Sequence, residues 1–209
     1  RCFTPEQCVY AISVSHPDKV YRDRTVDFFN QHIEAAVQLD CDHMVVSTGF
    51  AYLDVDAEDA FGWCAEAMGR IARKAEQEGV TLAVEPFTKY TTHICNEASQ
   101  LRRLLRTVNS PRLMGLADTD VIATTAVDTF STFLDVIGPE NLGHVHFVDG
   151  NPGGHLVPGD GVLDLDGALE KLKAIHYTGA LGLEVLDRRY VFAPEAAMKQ
   201  AMDWYKERI

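Results

Sequence analysis

The order of short apolar runs and longer helical segments constrains the fold of this chain more than any other feature. The runs that predict strands are His43–Ser47, Thr81–Glu85, Leu113–Asp118, Gly143–Val148 and Leu181–Leu186. Between them, apolar residues recur three or four positions apart, which is the spacing of an amphipathic helix that covers a sheet. Such alternation is typical of βα units around a parallel sheet.

The helical segments follow the same order along the chain. Their apolar markers or start positions are Val26 to Val37, Phe61 to Ala75, Leu101 to Val108 after the N-cap candidate Asn96, Val127 to Ile137, Leu169 and Leu172 after Asp166, and a last helix from Pro194. A (β/α)8 TIM barrel typically needs about 250 residues. The 209 residues therefore predict an α/β chain with strands three to eight of such a barrel, without the first two βα units. Cys2–Thr4 could end a sixth strand, and we expect one domain over 1–209.

Charge and composition exclude several partners. A net charge of −12 without a Lys/Arg cluster disfavours nucleic acid. The sequence has no apolar run long enough to span a membrane and no signal segment, so we expect a cytoplasmic protein without a membrane partner. The five cysteines are scattered, which favours reduced and mostly buried thiols over disulfides or a zinc site.

Acidic or imidazole side chains stand at the end of strand after strand: Glu85, Asp118, His146 and Glu184. The carboxyl ends of parallel barrel strands meet where the active site forms. Several carboxylates that converge repel one another unless a cation neutralises them. The pattern predicts a divalent metal bound by oxygen and nitrogen, which suits Mn, Co, Mg or Zn. A single acid such as Glu184 could instead pair with an arginine.

Two further histidines have other interpretations. His144 lies on the same face of its strand as His146 but one layer deeper, which favours a hydrogen-bonded core histidine. His155 lies in the Gly-rich loop NPGGHLVPGDG, where it could contact substrate or be solvated.

At these residues the sequence resembles the sugar phosphate isomerase/epimerase family of xylose-isomerase-like TIM barrels, most closely ketose 3-epimerases such as the fructoselysine 3-epimerases. The segments that carry the resemblance are FTPE (Phe3–Glu6), LAVEPFTKY (Leu82–Tyr90), SPRLMGLAD (Ser110–Asp118), GHVHFVD (Gly143–Asp149), HLVPGDG (His155–Gly161) and YTGALGLEV (Tyr177–Val185).

The resemblance implies an isomerase that inverts a ketose or ketose derivative at C3. The implied metal ligands are Glu85, Asp118, His146 and Glu184. Glu85 and Glu184 are the implied catalytic pair, which removes and returns the C3 proton through a cis-enediolate. Implied contacts to a small sugar are His155, Asp149 and Thr91, the last standing where several relatives carry glutamate. Such barrels often pair, so a homo-oligomer is possible.

Other functions fit the same motifs. An aldose–ketose isomerase of the hydroxypyruvate isomerase kind would use the same metal and carboxylates. A non-catalytic sugar-binding barrel is also compatible with the sequence. An apurinic endonuclease is disfavoured, because the chain is acidic and lacks the extra histidines of a multinuclear zinc site.

Overall fold

The computed structural model describes residues 12–50 and 54–208. The chain divides into two compact units, Arg1–Gly115 and Leu116–Ile209, and each is described by itself. Among the described helices, none combines the length and the apolar composition that crossing a membrane requires.

The first unit alternates helices and parallel strands. Its elements are α1 (Lys19–Gln38), β1 (His43–Ser47), α2 (Ala57–Glu78), β2 (Thr81–Glu85), α3 (Ala98–Val108) and the start of β3 (Leu113–Asp118). The strands are hydrogen-bonded in chain order, with Ser47 opposite Glu85 and Val84 opposite Gly115. Every residue of β2 is buried, as expected for a parallel strand with both faces covered.

Local sequence explains where the first unit's helices begin and end. The Asp18 side chain accepts a hydrogen bond from the amide of Val20 at the start of α1, and Asp56 caps α2 in the same way. Gly79 ends α2 in a left-handed conformation, with φ of 75°. The largest fully buried side chains of this unit are Ile33, Met68, Ile71, Leu82, Leu101 and Leu104.

The second unit continues the alternation. Its elements are the end of β3, α4 (Thr119–Thr125), α5 (Phe130–Ile137), β4 (Leu142–His146), α6 (Leu165–Ala174), β5 (Leu181–Gly182) and α7 (Pro194–Lys206), with 3-10 turns at Pro139–Asn141 and Arg188–Tyr190. The strand order is β3-β4-β5, and β4 pairs in parallel with β5. Its largest fully buried side chains are Leu116, Phe133, Leu134, Ile137, Phe147 and Leu156.

The α/β class and the parallel alternation are confirmed, and the first three strands have the predicted bounds. The strand predicted at Leu181–Leu186 is wrong beyond Gly182. It pairs with β4 at two positions only, and the amide of Leu186 donates to the carbonyl of His155 in a loop, 3.1 Å away.

The predicted starts of three helices, at Asn96, Asp166 and Val127, also need correction. The N-cap of α3 is Glu97 instead of Asn96, whose amide group donates to the carbonyls of Phe87 and Thr92. Helix α6 begins at Leu165, before the marker Asp166, and its N-cap is Asp164.

Val127 lies before α5 and is 63% exposed. Helix α4 was not predicted, because its seven residues are too few to establish a helical period.

The candidate strand end Cys2–Thr4 lies outside the described residues, and the single domain stays a prediction.

Two phenylalanines provide a matched test of the second unit's core. Phe133 is 1% exposed and Phe192 is 97% exposed. We expect Phe133→Ala to lower the free energy of unfolding by about 3–5 kcal/mol, because it leaves a cavity among packed side chains. Phe192→Ala should change it by less than about 0.5 kcal/mol. Urea unfolding measures both, and equal losses would contradict the described packing.

Cysteine reactivity tests the first unit. Burial raises the pKa of the Cys64 thiol to about 12, whereas Cys41 is exposed. We expect iodoacetamide at neutral pH to label native Cys41 and spare Cys64, as peptide mapping would show. Since the raised pKa belongs to the folded state, this thiol's contribution to stability is complete below its ordinary pKa of 9.0 and is lost as pH rises toward 12. Rapid native labelling of Cys64 would contradict its burial.

Candidate metal centre

Asp118 lies at the junction of β3 and α4, and its two carboxylate oxygens have different surroundings. Oδ1 accepts hydrogen bonds from the amides of Asp120 and Val121, each at 2.8 Å, and so caps α4. Oδ2 is buried and accepts no hydrogen bond from the residues that the structure describes. A buried carboxylate oxygen without a donor is costly, so this atom is a strong candidate for a cation ligand.

His146 and Glu184 face the same oxygen. Nδ1 of His146, the last residue of β4, lies 3.5 Å from Oδ2 of Asp118 and 3.2 Å from Oε2 of Glu184. Glu184 follows β5 in the loop that leaves the strand. One ligand atom from each of the three residues lies within 4.8 Å of the others.

These residues fit a divalent metal ion. Two carboxylates and one imidazole are three of the four oxygen and nitrogen ligands predicted from the sequence, and the described cluster contains no thiolate. The observation that carries the fit is the buried Oδ2 of Asp118, which faces the other two ligand groups and accepts no hydrogen bond within the described part of the chain. The ligand set does not choose among Mn, Co, Mg and Zn.

His155 reaches this centre from the loop after β4. Its Nε2 lies 3.3 Å from Oδ2 of Asp118 and 3.7 Å from Oε2 of Glu184. Its Nδ1 lies 2.9 Å from Oδ2 of Asp120, a fully buried residue of α4. The same Asp120 carboxylate accepts hydrogen bonds from the backbone amides of Gly153 and His155, at 2.5 and 3.0 Å.

Histidine rings beside these carboxylates lower the pKa of two of them. Burial alone would raise the pKa of Asp118, but the His146 and His155 rings lower it to about 2. His146 also lowers the pKa of Glu184. Burial acts to lower the pKa of His155, yet the neighbouring carboxylates of Asp118 and Asp120 raise it to about 10. Asp118 and Glu184 are therefore ionised at neutral pH.

Asp149 organises the base of the loop that carries His155. It is buried, its Oδ1 accepts from the amides of Gly150 and Leu163, and its Oδ2 accepts from the amide of Gly159. Backbone hydrogen bonds in both directions join Asp149 to Leu156. These bonds show a structural role, and the predicted contact of Asp149 with substrate stays a prediction.

The local contacts of three further residues, Glu85, Thr91 and His144, are as follows. Glu85 is the buried last residue of β2 in the first unit. Thr91 lies in the loop after β2, where its amide donates to the carbonyl of Thr88 at 2.9 Å. The ring of His144 packs edge-on against that of His146, with centroids 5.3 Å apart. Roles for Glu85 and Thr91 stay predictions.

Asp120 is the site residue that sequence reasoning missed. The pattern Asp118-Thr119-Asp120 was available, but the second acid reads as an ordinary charge in the first turn of a helix. A sequence signal did exist: Gly150, Gly153 and Gly154 all precede His155. A methyl group at Gly150 would collide with the Asp120 carboxylate, so glycine is required for this approach.

Known proteins share the fold and parts of the sequence. A family model described as the xylose isomerase-like TIM barrel matches residues 3–208. Fructoselysine 3-epimerase from Shigella flexneri is 26% identical over 206 residues, which are 98% of this chain and 74% of that protein.

Two solved structures are similar in shape. The 3-keto-D-glucoside 4-epimerase from E. coli has a TM-score of 0.84 at 18% identity, covering 94% of this chain and 76% of that one. D-psicose 3-epimerase from Clostridium cellulolyticum H10 has a TM-score of 0.82 at 18% identity, covering 94% and 74%. At such identities the two structures support the fold alone. Together with the family match, they confirm the expected barrel fold and the family resemblance.

Metal binding can be tested at Asp118 with an almost isosteric change. Asp118→Asn keeps an oxygen to cap α4 but replaces the buried Oδ2 with an amide nitrogen that cannot bind a cation. We expect it to weaken Mn²⁺ or Zn²⁺ binding by more than about 100-fold, beyond the loss typical of groups that only support a ligand. Isothermal titration calorimetry on chelator-treated protein measures this.

The matched control is Asp164→Asn, at the exposed N-cap of α6, where the side chain accepts from the amide of Gly167. It changes the same functional group at the same kind of helix position, so metal affinity should not change. Equal affinity in the two variants would rule out Asp118 as a ligand.

Proposed function

Because this chain belongs to the xylose isomerase-like TIM barrel family, we propose that it is a metal-dependent enzyme that epimerises a ketose or ketose derivative at C3. The isomerase class agrees with relatives that are named as epimerases. The observation that carries the proposal is the cluster of Asp118, His146 and Glu184 around a buried carboxylate oxygen to which no described residue donates a hydrogen bond.

A bound divalent ion would supply Lewis acidity, making a carbon acid beside a carbonyl easier to deprotonate. Asp118, His146 and Glu184 would hold that ion, with Glu85 as the proposed fourth ligand. Of the three residues in the second unit, Glu184 has the most exposed side chain, at 29%, against 10% for His146 and 0% for Asp118. Glu184 is thus the member best able to reach a substrate.

Proton transfer at C3 needs a base on one face of the carbon and an acid on the other. The lowered pKa of Glu184, caused chiefly by His146, keeps its carboxylate ionised and able to accept a proton. We assign the partner role to Glu85. It is the last residue of β2, and in a parallel barrel the carboxyl ends of the strands form the active-site face. Inversion follows when one glutamate removes the proton and the other returns it to the opposite face.

The test follows the substrate C3 hydrogen. Metal-loaded protein in D₂O is incubated with a panel of ketoses that includes fructoselysine, and NMR records deuterium incorporation together with the C3 epimer. We expect both with the unmodified chain. Glu184→Gln and Glu85→Gln should each lower the rate of epimer formation by at least about 100-fold, because a general acid–base group contributes 10²–10⁴-fold.

The control variant is Glu195→Gln, an exposed glutamate in the first turn of α7 that lies outside the centre. Its rate should equal that of the unmodified chain. Deuterium at C1 or C2 without a C3 epimer would reassign the chain to the aldose–ketose isomerases. Metal binding without any exchange would favour a non-catalytic sugar-binding barrel.

A further inference from the structure

We propose that Asp120 is a positioning residue that holds His155 in one orientation, with Nε2 directed at the substrate beside the metal centre. The inference rests on the proposed function and deepens it, because it assigns a sugar oxygen as the partner of His155 and gives Asp120 a role in that contact.

Asp120 holds the loop at His155 through several hydrogen bonds at once. Both of its carboxylate oxygens are used: Oδ1 by the amide of Gly153, and Oδ2 by the amide of His155 and by Nδ1 of the same ring. Asp120 is fully buried, so water does not compete for these bonds. One side chain therefore fixes both the backbone and the ring of His155.

The backbone at His155 needs this support. Gly153, Gly154 and His155 all have positive φ, of 99°, 110° and 49°. Two glycines adopt such values at little cost, but a residue with a side chain is strained there. Backbone strain of this kind persists where the surroundings over-determine it, and the bonds from Asp120 provide that constraint.

The orientation leaves one ring nitrogen for chemistry. With Nδ1 donating to Asp120, Nε2 lies 3.3 Å from Asp118 and 3.7 Å from Glu184. A carboxylate bound to one ring nitrogen fixes the direction in which the other nitrogen of a histidine points. Nε2 is therefore fixed beside the groups that would bind the metal and move the proton, where a hydroxyl or carbonyl oxygen of the sugar would meet it.

A double-mutant cycle tests whether the effect of replacing Asp120 depends on the presence of His155. On metal-loaded protein we expect Asp120→Asn and His155→Gln each to lower kcat/KM for the ketose by about 10- to 100-fold, the scale of a misplaced contact. Because Asp120 would act through His155, the double variant should lose no more than His155→Gln alone. Additive losses would overturn the proposal.

A second acid on the same loop provides the control for general loosening. Asp160 accepts from the hydroxyl of Tyr190 at 2.6 Å and from the amide of Gln200 at 2.7 Å, which ties the loop to other segments without a contact to His155. Asp160→Asn combined with His155→Gln should therefore give additive losses. Non-additivity equal to that of the Asp120 cycle would mean that loop order alone explains the effect.

Two measurements need no turnover and keep this inference separate from the failure of the proposed function. Long-range ¹H–¹⁵N NMR of the zinc-loaded protein, with His155 identified through His155→Gln, should show the signal of an Nδ1 that is hydrogen-bonded to a carboxylate. That signal should shift in Asp120→Asn. Calorimetry should show unchanged zinc affinity in His155→Gln. An unaltered ring spectrum in Asp120→Asn, or a large loss of zinc affinity in His155→Gln, would overturn the positioning role, the second by making His155 a ligand.

Discussion

The candidate centre depends on the different contacts that the two carboxylate oxygens of Asp118 make. Oδ1 completes the first turn of α4, and this bond fixes the side chain so that Oδ2 lies beside His146 and Glu184. The arrangement uses the junction of strand and helix, where free amides are available to orient an acid. A ligand fixed by a cap is preorganised, so metal binding need not order it. The cost is a buried oxygen that receives no hydrogen bond from residues 12–50 and 54–208, and a cation would offset that cost.

Buried acids also order the loop after β4. Asp120, in the first turn of α4, is hydrogen-bonded to His155, and Asp149 accepts hydrogen bonds from three backbone amides at the base of the loop. Two buried acids thus order a Gly-rich segment that has few apolar side chains to pack. Loops that carry function are commonly fixed by a rigid scaffold in this way. Here the scaffold is a strand end and one short helix.

Much of the site was predictable, because strand ends can be read from the sequence. Asp118 ends its strand as predicted, whereas His146 ends β4 two residues before the predicted end at Val148, and both lie beside Glu184. Glu184 itself follows a two-residue strand, since the apolar run around it leaves the sheet early. Asp120 was not predictable, because an acid in the first helical turn has the same sequence signature whether it faces solvent or clamps a loop.

The sequence by itself determined the alternation of strands and helices, the strand-end acids and histidine, and the glycines before His155. These are local properties, set by hydrophobic period and by residue type. Only the tertiary structure decided which oxygen of Asp118 caps α4 and which faces His146, that Asp120 bonds His155 across thirty-five positions, and that β5 is short. Those outcomes depend on contacts between residues far apart in the chain, and local pattern does not encode them.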